Sequence, residues 1–339
     1  MKVVIYGLGR DANNLFDWLE RLTSFDEKSI VAVCDSNKVG GRFRDRPVKS
    51  INEISSEEFE YLVISSSHYF EEIKAYLLNH HYCTTEKIIN LNEYRKMIFS
   101  EKVYVDRYGR TNDVITRKKK KVDKLIVYTS ITGCYDSLKD PIFVDDKITY
   151  ICFTDNKDLK SDIWNIRSID IIDSDPRLSA KKVKICPWEY INCNGPICWV
   201  DGKFLIKDDL REYYNHYNRG NAILCFPHFE RTTICDETAE LIKCKPEIKK
   251  ELIIQSAHYL NSGFKDDYGL YECGCIIRDF SFPIMKKLMM DWWSEIEQYT
   301  IRDQISFPYV CWKNEVLPDI CNLYIENNNW LQYYSHNTV

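Results

Sequence analysis

Long apolar runs are missing from this sequence. Nowhere do about 18 consecutive apolar residues occur, so no segment reads as a bilayer-spanning helix. The opening MKVVIYGLGR carries too short an apolar run for a signal peptide, which leads to the expectation of a cytoplasmic protein with at most peripheral contact at the inner face of a membrane. An excess of positive charge is missing too. Lys and Arg number 46 against 51 Asp and Glu, a net charge of -5, which excludes a generally basic nucleic-acid binder. Internal repeats and low-complexity tracts are absent, apart from a short asparagine run near the end. Paired cysteines at zinc-finger spacing are also lacking. Cys186, Cys193, Cys198, Cys273 and Cys275 do not form two closely spaced pairs, so a structural zinc site is not expected. The 14 cysteines are scattered, and Cys152, Cys198 and Cys225 sit inside apolar segments, as free buried thiols do.

What is present suits an α/β protein. The 339 residues, 45% of them hydrophobic, are long for one core, since single cores stop growing at about 250–300 residues. KVVIYGLG, IVAVCDSN, EYLVISSS and KIINLNEY read as strands, with ANNLFDWLERL and HYFEEIKAYLLNH as helices between them. This alternation predicts a small Rossmann-like parallel sheet over 1–105. Its first turn carries Gly7, Gly9 and Ala12, a G-x-G-x-x-A form of the dinucleotide fingerprint, and Asp35 stands where a ribose-binding acid would. Glycine at such a turn also serves simply to make it tight, so nucleotide binding and a purely structural role both stay open. The polar stretch 106–123, ending in the basic run Arg117–Lys121, reads as a solvated linker able to touch anionic lipid.

A second α/β series occupies 124–339. KLIVYTSI, ITYICFTD, ICWVDGKFLI and NAILCFPH read as strands, and FPIMKKLMMDWWSEIEQY as a helix. Polar residues follow the first two strands: Thr129, Thr132, Gly133, Tyr135 and Asp136, then Asp155 and Asn156. Ligands of open α/β sheets collect at such carboxyl ends, although the same residue types dominate ordinary turns. Arg177, Lys181 and Lys184 recur at helical spacing and could line one face, either toward a diphosphate or simply toward water. Within ICWVDGKFLI one aspartate, Asp201, interrupts the apolar run and requires a partner.

The ordered blocks YTSITGCYDSLKDP, YICFTDN, RLSAKKVKICPWEY, WVDGKF, GLYECGCIIRDF and YTIRDQISFPYVCW resemble a plant and bacterial TOD/MUCI-like family of glycosyltransferases, long catalogued as a domain of unknown function, from Lys124 to the C-terminus. The first 95 or so residues resemble small nucleotide-sugar-binding domains attached to bacterial polysaccharide enzymes. The resemblance implies a GT-A-type nucleotide-diphospho-sugar transferase domain, with a UDP-sugar donor and a saccharide or lipid-linked saccharide acceptor in surface polysaccharide biosynthesis. It implies that Thr129, Thr132, Gly133, Tyr135, Asp155, Lys181, Lys184, Asp201, Lys203 and Arg302 bind donor, and that Asp201 with His336 holds Mn²⁺ or Mg²⁺. It also implies that Asp303 and Gln304 lie beside the donor sugar, with Asp303 a general base if the enzyme inverts. Glu272 and Arg278 would face the acceptor, and His228, Arg231 and Glu237 a loop near the donor. One departure is plain: where such enzymes carry D-x-D, Lys203 takes the third position, so metal dependence stays open. A nucleotide-sugar oxidoreductase built on the first domain and a non-catalytic sugar-binding subunit remain the alternatives. The former lacks a convincing Tyr-x-x-x-Lys pair.

Overall fold

Val3–Tyr6 (β1) is buried at every position, as a strand covered on both faces must be. It leads through the glycine turn into α1 (Arg10–Leu19), and the series continues with β2 (Ile30–Cys34), β3 (Arg42–Phe43), β4 (Arg46–Lys49), β5 (Tyr61–Ile64), α2 (Phe70–Asn79), β6 (Ile88–Asn90) and α3 (Leu91–Glu101). The sheet order is β3-β4-β2-β1-β5-β6. Apart from the short β3, which runs antiparallel to β4, all pairings are parallel. That is the doubly wound order, reversing beside β1, and the expected Rossmann-like unit is borne out. In this computed structural model the described residues are 1–20, 26–66, 68–101, 121–172, 174–266, 268–321 and 323–335. Two compact units divide at Asp106 and Arg107. The basic run before Lys121 and His336 lie outside the described residues.

The second unit comprises β7 (Leu125–Ile131), β8 (Ile148–Thr154), β9 (Asn165–Ser168), α4 (Pro176–Ile185), β10 (Pro196–Val200), β11 (Phe204–Ile206), α5 (Leu210–Tyr217), β12 (Ile223–Pro227), α6 (Ile234–Cys244), α7 (Lys249–Asn261), β13 (Tyr271–Asp279), α8 (Ile284–Gln298), α9 (Asp303–Lys313), β14 (Asp319–Ile320) and β15 (Leu331–Tyr333). Its seven-stranded sheet runs β14-β12-β13-β10-β7-β8-β9. β7, β8, β9 and β10 are mutually parallel, whereas β13 runs antiparallel to β10 and β12. The fold class is therefore mixed α/β, as expected. The apolar core is filled by alternate residues of the central strands, among them Val127, Cys152, Cys198, Val200, Leu224 and Ile277. Cys152, Cys198 and Cys225 are buried and unbridged. Among the described residues no helix is long and apolar enough to cross a membrane.

One predicted strand is two. ICWVDGKFLI breaks at Asp201–Lys203, because the chain turns out of the large sheet there and β11 pairs instead with β15. Asp201 thus leaves the strand interior and stands at the carboxyl end of the central strand. The antiparallel sense of β13 brings its first residues to the same edge, where the Asp201 amide donates to the Gly274 carbonyl at 2.7 Å.

Candidate functional site

A cleft of about 400 Å³ opens at this edge. Thr132 and Tyr135 after β7, Asp201 to Lys203 after β10, Glu272 to Gly274 at the start of β13, and Ile301 to Gln304 at the start of α9 line it. Arg177, Lys181 and Lys184 of α4 complete the wall. Asp175 caps α4, accepting from the Arg177 amide at 2.8 Å, and Pro176 occupies the first turn, a pairing that fixes where the helix begins. The helical spacing of the three cations therefore does turn them toward one place.

At the bottom of the cleft two carboxylates meet two ammonium groups. Lys184, only 1% exposed, lies 2.6 Å from Asp303 Oδ2 and 3.3 Å from Asp201 Oδ1. Lys181 also pairs with Asp303 Oδ2. Trp199 Nε1 donates to Asp201 Oδ1 at 2.6 Å. Burial alone would raise both carboxyls, but Lys181 and Lys184, joined at Asp201 by Lys203, hold them below the ordinary range. Burial works against the charge of Lys184 as well, and there the two aspartates prevail and its pKa is raised. Lys181 is lowered, with burial the largest cause. Asp303 is thus a fixed anion and a weak base.

Glu272 has the opposite environment. Burial, with Glu237 nearby, pushes its carboxyl up to about 7 against the pull of Lys203 and Arg231. Gln304 Nε2 donates to its Oε2 at 2.8 Å. His228 Nε2 stands 3.7 Å from Glu272 and 3.6 Å from Glu237, while His228 Nδ1 accepts from the Glu230 and Arg231 amides. Arg231 Nε holds Glu237 at 2.5 Å. The predicted loop group is therefore an ion-pair network behind Glu272.

Other cations are not committed. Among the described residues, no carboxylate lies within ion-pair distance of Lys203, Lys245 or Arg302, all of which line the cleft, and the buried Nε of Arg302 has no hydrogen-bond partner.

Several predicted residues fall elsewhere. Asp155 is absent from the cleft lining; both its oxygens accept from the Gly133 amide, at 3.1 and 3.2 Å. Its role is to hold the turn. Gly133 has φ +60°, and a Cβ there would meet Pro176 at 2.7 Å, so this glycine seats the turn against α4. Thr132 Oγ1 donates to the Pro176 carbonyl at 2.7 Å, and Thr129 is buried beneath the lining. Arg278 does not face an acceptor: fully buried within β13, it bonds to Tyr128 Oη and to Met289 Sδ. In the first unit Gly7, at φ +88°, makes the turn, but Asp35 accepts from the Leu8 and Asn37 amides at 2.8 and 2.9 Å. Lys38 and Ser65 donate to the carbonyls of Leu8 and Gly7. Sequence reasoning missed Trp199 and Lys245. Trp199 was within reach, because residues two apart on a strand share a face; no sequence signal pointed to Lys245.

A resident Mn²⁺ or Mg²⁺ would need several oxygen ligands. Asp201 instead has Lys184 at 3.3 Å and the charges of Lys203 and Lys181 about it. Among the described residues no group of three or more His, Cys, Asp or Glu could hold a metal ion. The described residues of the cleft do not fit a divalent cation.

Residues 105–328 match the family model for the TOD1/MUCI70, glycosyltransferase-like domain, which spans more than half of the chain. This chain belongs to the TOD1/MUCI70 glycosyltransferase-like family. Residues 1–89 match a second model, C2185-like, N-terminal, so this TOD1/MUCI70 member carries a further recognised segment ahead of the transferase-like one. No curated protein sequence matches it. Among solved structures it is similar to the bifunctional glycosyltransferase WbbM in its apo form, at 12% identity and TM-score 0.35, over 73% of this chain and 45% of that one. The chain thus spans less than half the length of WbbM. Mouse xyloside xylosyltransferase 1 is similar at 10% identity and TM-score 0.33, over 58% of this chain and 84% of that one. The galactosyltransferase LgtC, solved with donor and acceptor sugar analogs, is similar at 11% identity and TM-score 0.31, over 58% and 73%.

Proposed function

We propose that the second unit, 124–339, is a GT-A-type transferase domain that moves a sugar from a nucleoside-diphosphate donor, with uridine as the base, to a saccharide acceptor in surface polysaccharide assembly. The observation that carries this reading is the charge pattern of the cleft. Six cations, Arg177, Lys181, Lys184, Lys203, Lys245 and Arg302, share the walls with five acids, Asp136, Asp201, Glu247, Glu272 and Asp303. Buried Lys184 and half-buried Lys181 pair with Asp303 and Asp201, whereas Lys203, Lys245 and Arg302 have no carboxylate within ion-pair distance among the described residues. Surplus cations in a cleft at strand carboxyl ends suit a diphosphate. Tyr135, on the same wall, supplies a ring suited to the base.

Glu272 is the group suited to proton transfer. A general base works best with a pKa near the working pH, and Glu272 at about 7 meets that condition where Asp303 does not. In the proposed step the acceptor hydroxyl attacks the anomeric carbon as its proton passes to Glu272. The new glycosidic C–O bond forms while the bond to the diphosphate oxygen breaks, and the nucleoside diphosphate leaves with the electron pair. Gln304 holds Glu272 in position. Lys203, Lys245 and Arg302 stabilise the charge that builds on the leaving group.

The test is a panel of UDP- and GDP-sugars incubated with the purified chain, read as release of nucleoside diphosphate and as transfer to oligosaccharides. Turnover with at least one donor, lost in Glu272→Gln, is the expected result. Donor binding without turnover under every condition would instead make the chain a sugar-nucleotide binder.

A further inference from the structure

The acids at the bottom of the cleft are already spent on lysines, and a third lysine stands where a metal ligand would be expected. We propose that this protein holds its donor's diphosphate on ammonium and guanidinium groups, chiefly Lys203 and Arg302, and binds it without a divalent cation. Asp201 then acts as a positioning residue for Lys184 rather than as a metal ligand. The inference rests on the donor reading of the cleft and adds to it how the charge is neutralised.

Three observations carry it. Asp201 Oδ1 is occupied from two sides, by Trp199 Nε1 at 2.6 Å and by Lys184 Nζ at 3.3 Å. A dication placed there would share its ligand with one ammonium and feel two more, from Lys181 and Lys203. Like charges packed around a single carboxylate repel strongly where water is scarce. Next, Lys203 follows Asp201 by two residues across the turn, and no acid lies within ion-pair distance of it among the described residues. Its ammonium lies 5.4 Å from the centre of the Phe204 ring and 5.6 Å from that of Tyr333, contacts that orient the cation without a direct ion pair. Finally, the buried Arg302 Nε lacks a partner, and a buried N–H left unmade is costly until something accepts from it. A phosphate oxygen is such an acceptor.

Binding of UDP to the full chain, measured by titration calorimetry in EDTA and again in Mn²⁺, tests this directly. The expected affinities agree within about twofold between the two buffers. Lys203→Gln weakens binding about tenfold in both, the loss of one charge-assisted contact. Lys203→Asp, which restores a D-x-D sequence, loses more in EDTA and regains part of the loss with Mn²⁺. Thermal melting of each variant checks that it is folded. Wild-type binding that disappears in EDTA overturns the inference while leaving the donor reading intact, and so does an unchanged affinity in a folded Lys203→Gln. No binding of UDP or GDP in either buffer overturns the donor reading itself, and this inference with it.

Discussion

The two sheets of this protein present the same kind of edge and use it differently. In the first unit the glycine turn after β1 has the residues of a dinucleotide site, yet Asp35, the acid of that fingerprint, is engaged by the protein's own backbone. Asp35 takes the amides of Leu8 and Asn37, and Lys38 and Ser65 take the carbonyls of Leu8 and Gly7. In the second unit the edge at β7, β10 and β13 gathers charges of both signs, and among the described residues Lys203, Lys245 and Arg302 have no carboxylate within ion-pair distance. The acid of the first edge is engaged internally, whereas cations of the second have no ion-pair partner among the described residues.

The strongest way to break this contrast is to disturb the matched charges. Asp303→Ala leaves Lys181 and the buried Lys184 without their shared acid, and loss of one member of a buried ion pair costs about 3–5 kcal/mol. Urea denaturation of the variant should register that loss, and transfer should vanish with it; a near-normal midpoint would mean that the lysines are solvated after all.

Glu272→Gln sharpens the assignment within the cleft. We expect kcat to fall by about 10²–10⁴, the usual contribution of a general base, with wild-type kcat/KM rising with pH until about 7. The same group gives a stability signature. Its folded pKa lies above the unfolded value, so the folded state binds the extra proton between about pH 4.5 and 7, and stability falls as pH rises through that window. Melting of wild type against Glu272→Gln should show a difference of up to about 3 kcal/mol developing there and flat above it. A rate profile without an acid limb would remove Glu272 from the chemistry.

A smaller effect is expected at the turn that seats α4. Gly133→Ala introduces a Cβ at φ +60° facing Pro176, and the strain of a non-glycine residue there is about 1–3 kcal/mol. Because α4 carries Lys181 and Lys184, UDP affinity should weaken along with the melting temperature. Smallest of all, Asp35→Ala removes two turn hydrogen bonds and should cost about 1–2 kcal/mol without altering UDP binding. If a nicotinamide dinucleotide raises the wild-type melting temperature and Asp35→Ala abolishes that rise, the contrast between the two edges is reversed.

Much of the architecture was legible because it depends on local pattern. Alternating apolar strands and amphipathic helices gave the parallel order around β1, and the i, i+4 and i+7 spacing from Arg177 to Lys181 and Lys184 placed three cations on one side of α4. Other features were not legible. Asp155 and Thr132 have the chemistry of ligand contacts but are consumed by the backbone, a choice between turn and ligand that residue type does not make. Arg278 reads as a site residue and is a core residue, because its partner Tyr128 is 150 positions away. The break of ICWVDGKFLI into two strands depends on β15, from the far end of the chain.

The sequence by itself determined the two α/β units, the family to which the chain belongs and the substitution of Lys203 for a second aspartate, since each is written in consecutive residues. Only the tertiary structure decided what Asp201 is for. Asp201, its partner Lys184 and the lysines' other acid, Asp303, come from three separate segments. Which charges are matched and which remain for a ligand is a property of their distances and burial, and sequence order does not contain those.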